Sequence, residues 1–117
     1  MCGCAGSSSL NVDRFAGTYQ GTWVNLDDAS DAGTSTWSVS ANGTVDGTDV
    51  DPGRETTFHV VGQMDAVGNL TSTSTPTGGD PASLNGPLSF DSSGKLTGIL
   101  EWGVAPPLKY RYTFTKE

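Results

Sequence analysis

The sequence has little of what enzymes and nucleic-acid-binding proteins usually depend on. It contains one histidine and six lysines and arginines, against thirteen acidic residues, so the net charge is −7. Because nucleic acids are bound through basic surfaces, this balance predicts no nucleic-acid partner. No apolar run approaches the roughly 18 residues that a membrane-spanning helix needs.

Motifs for catalysis are missing as well. The chain has no Gly-x-Ser-x-Gly elbow, phosphate-binding loop, dinucleotide fingerprint or His-Glu-x-x-His pair. His59 falls on the outward face of a predicted strand, and Glu101, also outward, has no carboxylate partner for acid–base work. We therefore expect no enzymatic activity, no catalytic residue, no cofactor and no metal centre. Whether the acidic stretch 46–51 contributes to a calcium site stays open, because it lacks the full spacing of a calcium loop.

Cysteine is confined to the opening stretch MCGCAGSSS, as Cys2 and Cys4. A disulfide between them would close a very small, strained loop, and two thiolates supply only half of a zinc site. The stretch resembles the junction of a bacterial lipoprotein, in which a small residue precedes an acylated cysteine and a Gly/Ser-rich tether follows. The resemblance implies lipidation at Cys4, a tether over residues 1–14, and membrane contact through the lipid only. An inert tail is the alternative, and the oxidation state of both cysteines stays open.

Glycine and aspartate are abundant instead, and they favour an all-β protein. There are 16 glycines, and ten aspartates against three glutamates, a bias toward turn residues over helix formers. Apolar and polar residues alternate with a period of two, and no segment has the pattern of an amphipathic helix. The pattern predicts one domain over residues 15–117, with strands at 15–25, 34–41, 44–50, 56–65, 69–75, 84–90, 95–102 and 108–116.

The connections between these strands alternate in length. Short hairpin signals lie at 42–43, 66–68 and 91–94, and longer connections are predicted at 26–33, 51–55, 76–83 and 103–107. Such a meander has its short turns at one end and its longer loops at the other. Pairing the first strand with the last would remove both sheet edges. We therefore predict an eight-stranded antiparallel up-and-down β-barrel, with a two-sheet β-sandwich as the alternative.

Two stretches resemble the start of the avidin/streptavidin-like family of calycin barrels. GTYQGTWVNL at 17–26 is similar to the family's first strand, which ends in Gly-Thr-Trp-x-Asn, and TWSVSANGTVDGT at 36–48 is similar to the strand, turn and Gly-Thr motif that follow. The resemblance covers residues 17–48 and implies an eight-stranded barrel with its site at the long-loop end. It places Asn25 where the family has a ligand-binding Asn. It does not imply biotin, because Asp49 follows the second Gly-Thr where the family has a Tyr.

Aromatic and acidic residues gather at the long-loop end. Three tryptophans of inward phase flank the longer connections, and six aspartates lie in or beside them: Asp27, Asp28, Asp31, Asp49, Asp51 and Asp80. Aromatic faces with carboxylate or amide acceptors suit a sugar, or a cation held by cation–π attraction. The candidate ligand-binding residues are Trp23, Asn25, Trp37, Asp49, Trp102 and Tyr110. Alternatively, the tryptophans plug the barrel mouth and the aspartates cap turns; either way we expect a packed lower barrel and at most a shallow site.

These features predict a non-enzymatic binding module for a small molecule or sugar. The tether-like N-terminus predicts an extracytoplasmic location, whether secreted, periplasmic or at a bacterial cell surface. The alternative function is a structural subunit of a surface layer, matrix or filament. In such an assembly, or in a smaller homo-oligomer, the outward apolar residues Val24, Val61 and Ile99 would pack between copies.

Overall fold

In a computed structural model, which describes residues 12–103 and 106–117, the chain forms one antiparallel sheet and a short 3₁₀ helix. Within these ranges, no helix has the length and apolarity to cross a membrane. Cys2 and Cys4, and with them the predicted lipidation site, lie outside the described residues. The elements are η1 (Val12–Phe15), β1 (Gly17–Asn25), β2 (Asp28–Val39), β3 (Thr44–Asp51), β4 (Thr56–Met64), β5 (Asn69–Pro76), β6 (Ala82–Pro87), β7 (Ser89–Phe90), β8 (Leu96–Trp102) and β9 (Leu108–Lys116).

The sheet closes on itself as a barrel. Strands β1 to β6 pair in sequence, and β9 pairs with both β1 and β8. β6 and β7 are two pieces of one strand position, and both pair with β8, which completes the ring. The predicted eight-stranded antiparallel up-and-down barrel is therefore confirmed, including pairing of the first strand with the last. The sandwich is excluded, because its two sheets would each keep free edges.

The strand predicted at 84–90 is broken between β6 and β7. Pro87 has no amide hydrogen to donate to the ladder, and the Leu88 amide instead donates to the Gly68 carbonyl at 2.8 Å. Leu88 is 1% exposed, so the interruption is filled by an apolar side chain in the core.

Period-two alternation decides which side chains fill the barrel. Along β3, for example, exposed and buried residues alternate without a break, with Val45 and Asp49 among the buried ones. Seven aromatic side chains are buried in the core, and Phe58, Phe90 and Trp102 are partly buried. The inward orientation predicted for the aromatic residues is confirmed for the nine that lie on strands. Phe15, predicted on the first strand, is buried as the last residue of η1.

Three short turns lie together at one end of the barrel, as predicted. The turns at 40–43, 65–68 and 91–94 each end in a glycine whose amide donates to the carbonyl of the turn's first residue. These glycines have φ between +86° and +101°, a left-handed conformation that favours glycine. In two of the turns the carboxylates of Asp65 and Asp91 also accept backbone N–H groups.

The helix η1 covers this end of the barrel, which we call the closed end. Phe15 is fully buried and stacks on Phe90 with the ring centroids 5.5 Å apart. Arg14 lies over the Phe15 ring and donates to the Ala66 carbonyl at 2.7 Å, while Val12 packs against the core. Val12 and Arg14, which the sequence pattern assigned to the tail, are therefore in contact with the barrel.

The opposite end, which we call the open end, differs from the prediction in one connection. The sequence predicts a long loop over 26–33, but β2 begins at Asp28 and only residues 26–27 connect it to β1. That prediction is wrong because pairing with β1 continues along this stretch despite its turn-forming residues, and a bulge opposite Asn25 absorbs the extra ones. The connections at 52–55 and 77–81 are longer, as predicted.

Candidate ligand site at the open end

A cavity of about 380 Å³ lies at the open end. Its wall is mainly apolar and is built from inward side chains near the strand ends, with Arg54 added from the connection 52–55 and Asp80 from the connection 77–81. This volume is in the range of small-molecule sites. The lining residues are Trp23, Asp49, Asp51, Arg54, Thr56, Phe58, Ser74, Pro76, Asp80, Trp102, Leu108, Tyr110 and Tyr112.

Aromatic rings make up much of the wall. Trp23 meets Tyr110 edge-on with the ring centroids 5.3 Å apart, and Phe58 meets Trp102 edge-on at 6.3 Å. Trp23 and Tyr110 are buried, whereas Phe58 and Trp102 are only partly buried. The second pair therefore presents aromatic surface that a solute can reach.

Asp49 forms the inner side of the cavity and is 3% exposed. Its Oδ1 accepts hydrogen bonds from Ser35 Oγ at 2.7 Å and Trp37 Nε1 at 2.8 Å, and its Oδ2 accepts one from Tyr112 Oη at 2.6 Å. Burial raises the pKa of Asp49, although the three hydrogen bonds oppose the shift. Burial, and then the Asp49 charge, raise the pKa of Tyr112 well above its ordinary value. The buried acid is thus held by neutral donors.

Two further acids, Asp31 and Asp51, lie beneath Arg54 at the rim. The guanidinium Nη1 donates to Asp31 Oδ1 at 2.9 Å and also to Asp51 Oδ2. The side chains of the two acids are 8% and 4% exposed, while that of Arg54 is 59% exposed. The hydrogen bond to Asp51, followed by that to Asp31, raises the pKa of Arg54, so the guanidinium stays charged.

The connection 52–55 directs Arg54 back over the barrel. Asp51 Oδ1 accepts the Arg54 backbone amide at 3.2 Å, and the Glu55 amide donates to the Pro52 carbonyl at 3.3 Å. Glu55 has φ of +52°, which is uncommon for a residue with a Cβ. Asp51 therefore holds both the turn and the side chain that the turn presents.

The bulge in β2 brings Asp31 to the rim, beside Arg54. Asp31 Oδ2 accepts hydrogen bonds from Asn25 Nδ2 at 3.1 Å and from Tyr110 Oη at 3.3 Å. Asn25 Oδ1 in turn accepts the Asp27 amide at 2.9 Å, which secures the turn between β1 and β2. Burial, followed by the Asp31 charge, raises the pKa of Tyr110 to about 12, so its hydroxyl remains a donor at neutral pH.

Trp23 has a buried indole N–H for which the described residues supply no acceptor. Its side chain is 5% exposed and lines the cavity, and its ring packs so closely on Gly33 that a Cβ there would come within 2.6 Å of it. A buried donor without a partner costs free energy. The Trp23 side chain therefore lines the cavity while its N–H stays buried within the wall.

Four of the six predicted ligand-binding residues line the cavity, namely Trp23, Asp49, Trp102 and Tyr110. Asn25 lies one layer behind the wall, where it holds Asp31. Trp37 is 1% exposed, and its ring centroid is 4.7 Å from that of Phe114 in the core. The structure places Trp37 below the site because β2 begins at Asp28, so that Trp37 lies deeper along its strand than a strand start at residue 34 would put it.

Arg54, Phe58 and Tyr112 line the cavity but are not among the predicted site residues. The alternation in sequence marks Phe58 and Tyr112 as inward but does not give their height along the barrel. Arg54 has a weaker signal, since a basic residue three positions after Asp51 in a turn can fold back on it. Its second contact, with Asp31, depends on the tertiary structure.

The lining supplies hydrogen-bond acceptors and aromatic faces. Across residues 12–103 and 106–117, no group of three or more His, Cys, Asp or Glu residues is placed to hold a metal ion. His59 lies on the outer surface, where its Nε2 is 2.8 Å from Asp46 Oδ1 and both side chains are largely exposed. The acceptors of the cavity are the carboxylates of Asp49, Asp51 and Asp80, with the Ser74 hydroxyl beside them.

Comparison with protein-family models, with curated proteins and with solved structures finds no match to this chain. Support for the avidin-like resemblance therefore comes from the architecture and not from a related chain. The closed antiparallel barrel of eight strand positions is consistent with a calycin-like fold.

Proposed function

We propose that the protein is a non-enzymatic binding module whose ligand site is the cavity at the open end. The observation that carries the proposal is the mainly apolar cavity of about 380 Å³, with aromatic rings on its wall and the buried carboxylate of Asp49 at its inner side. Apolar pockets with a few well-placed polar groups are the usual form of small-molecule sites. The interior of an eight-stranded barrel is just wide enough to be filled by side chains or to hold one small ligand. A small molecule or a sugar with an apolar face fits this chemistry.

The packed core limits how deeply a ligand can enter. Below Asp49, the rings of Trp37, Tyr112 and Phe114 contact one another with centroids 4.7–5.8 Å apart. The site is therefore confined to the upper part of the barrel, in keeping with the shallow site that the sequence predicts.

The resemblance to the avidin/streptavidin-like family over residues 17–48 also implies a ligand site at this end of the barrel. Biotin is not proposed as the ligand. Asp49 replaces the family's Tyr, and its oxygens are already engaged with Ser35, Trp37 and Tyr112.

We extend the proposal to an extracytoplasmic module tethered through Cys4. β1 begins and β9 ends at the closed end, so a tether there would point the cavity away from the membrane. Cys4→Ser should release the protein from membranes in its native host, as measured by fractionation. Continued membrane attachment of that variant would contradict the tether.

The ligand site is tested by NMR titration with two probes, neutral phenyl β-glucoside and the cation benzamidinium. Either probe, if bound in the cavity, should shift the indole N–H signals of Trp23 and Trp102 more than that of Trp37. Trp102→Ala should weaken binding, because it removes part of the wall. Phe90→Ala is the matched control, since Phe90 is also partly buried against the core but lies at the closed end.

Two outcomes would contradict the ligand site. One is the absence of indole shifts with both probes; the other is equal weakening by Trp102→Ala and Phe90→Ala. The structural-subunit alternative has less support, because Val24 and Ile99 are half-buried beside Arg111 while exposed Val61 lies on β4, so the three form no single patch. Growth of open polymers in light scattering would favour that alternative.

A further inference from the structure

Negative charge exceeds positive charge around the cavity. Among the described residues that line it, Arg54 is the one cation, against the three acids Asp49, Asp51 and Asp80. Arg54 pairs with Asp51 and with Asp31 just outside the wall, whereas Asp49 is bound by neutral donors. The site thus offers acceptors and negative charge to whatever enters it.

Arg54 lies between the solvent and the two acids with which it pairs. Its side chain is 59% exposed, while those of Asp31 and Asp51 beneath it are 8% and 4% exposed. A solute that enters from the solvent meets the guanidinium before it meets the two carboxylates. Because Arg54 stands on an exposed turn, its side chain can move into water without disturbing a strand.

We propose that the ligand is an organic cation with an aromatic or apolar body, and that its charged group replaces the Arg54 guanidinium over Asp31 and Asp51. This inference rests on the proposed ligand site and names its ligand class. Nearly buried carboxylates are costly to leave without a counter-charge. A cationic ligand that displaces Arg54 keeps both acids paired, whereas a neutral ligand in the same position would leave them unpaired.

The aromatic wall suits the body of such a ligand. Partly buried Phe58 and Trp102 present ring surface to the cavity, and aromatic faces attract cations. Tyr110 lines the cavity and donates to Asp31, so the aromatic wall continues into the acid pair.

Benzamidinium and benzamide test the ligand class, because they are nearly equal in shape and differ in charge. Titrations of the full chain, followed through the indole signals of Trp23 and Trp102, give both dissociation constants. We expect benzamidinium to bind about tenfold more tightly than benzamide. Salt should reduce this advantage, because it screens the exposed rim.

Variants of Arg54 test the displacement. Arg54→Gln should tighten benzamidinium binding several-fold, because the internal competitor is gone, and should change benzamide binding much less. Arg54→Lys keeps the competing charge and should bind benzamidinium as weakly as the wild type. Arg111→Gln is the matched control, since it makes the same charge change on the exposed outer face of β9. Melting temperatures establish that all three variants are folded.

Four results would overturn the inference. Equal affinity for benzamide and benzamidinium, or indole shifts with phenyl β-glucoside alone, would reject the cation class and leave the ligand site standing. Equal tightening by Arg111→Gln and Arg54→Gln would assign the gain to net charge and reject displacement. If no probe shifted the indole signals of Trp23 and Trp102, in the wild type or in Arg54→Gln, the proposed function would be rejected together with the inference.

Discussion

The two ends of the barrel use similar aromatic residues in different surroundings. At the closed end Phe15 and Phe90 stack, and the side chain of Phe15, the last residue of η1, is fully buried. At the open end Phe58 and Trp102 meet edge-on and stay partly exposed. Whether rings become a plug or the wall of a site therefore depends on what covers them. A helical turn of main chain covers the closed end, whereas the Arg54 side chain stands over the acids of the open end.

Aspartates differ between the two ends in the same way. Asp65 and Asp91 are exposed at the closed end, where hydrogen bonds within their turns lower their pKa values. Asp49 is buried at the open end, where desolvation raises its pKa. At the closed end the carboxylates of Asp65 and Asp91 hold turns from exposed positions. At the open end Asp51 also holds a turn, but Asp49 lies inside the barrel, where it lines the cavity.

Loss of β9 should have the largest effect on stability, because β9 runs between the two ends and pairs with both β1 and β8. Truncation after Tyr110 deletes most of the strand that joins β1 to β8 and opens the barrel. It also removes Tyr112 and Phe114, each worth about 1.5–3 kcal/mol of burial. We expect no cooperative unfolding transition by circular dichroism. A truncated chain that still melts cooperatively would show that the barrel does not need closure.

Matched phenylalanine substitutions should separate the two ends. Phe15→Ala leaves a cavity under η1 and should lower the free energy of unfolding by about 3–5 kcal/mol. Phe58→Ala removes a partly exposed ring and should lower it by about 1–2 kcal/mol. Urea denaturation measures both values. Equal losses would mean that the open end is as tightly packed as the closed end.

Lowering the pH should change the stability contributions of the carboxylates at the two ends in opposite directions. The raised pKa of Asp49 means that its contribution to stability is present below the ordinary value of 3.8 and is lost as pH rises through its folded-state pKa. The lowered pKa values of Asp65 and Asp91 mean that their contributions are present above 3.8 and are lost as pH falls through their folded-state values.

Carboxyl ¹³C NMR should therefore show Asp49 taking up its proton at a higher pH than Asp91. Asp49→Asn should remove the loss of stability that accompanies rising pH just above 3.8, and Asp91→Asn should not. If Asp49 instead took up its proton at a lower pH than Asp91, the predicted difference between the two ends would be contradicted.

N-terminal deletions should have the smallest effects. If residues 1–11 are only a tether, their removal should leave the melting temperature unchanged within a few degrees. Removal of residues 1–14 also deletes Val12 and the Arg14 contacts at the closed end and should lower it by about 5 °C. Differential scanning calorimetry of the two deletions measures the difference. A large drop with the shorter deletion would show that the tail is more than a tether.

The sequence by itself determined the architecture, because the signals for strands and turns are local. Side chains on a strand alternate between faces, so the inward phase of the nine aromatic residues on strands was readable without knowledge of any partner. Glycines 43, 68 and 94 marked turns that require a left-handed residue. With one apolar face per strand and hairpins in order, closure was the arrangement that left no edge.

Only the tertiary structure decided the composition of the site. The height of a residue along the barrel depends on strand register. The early start of β2 at Asp28 places Trp37 deep along its strand, and the bulge in β2 brings Asp31 to the rim. Asp31 meets Tyr110 across 79 positions of sequence and Arg54 across 23. No local pattern encodes such contacts, because they arise only when the strands have paired around the ring and the turn at 52–55 has folded back over it.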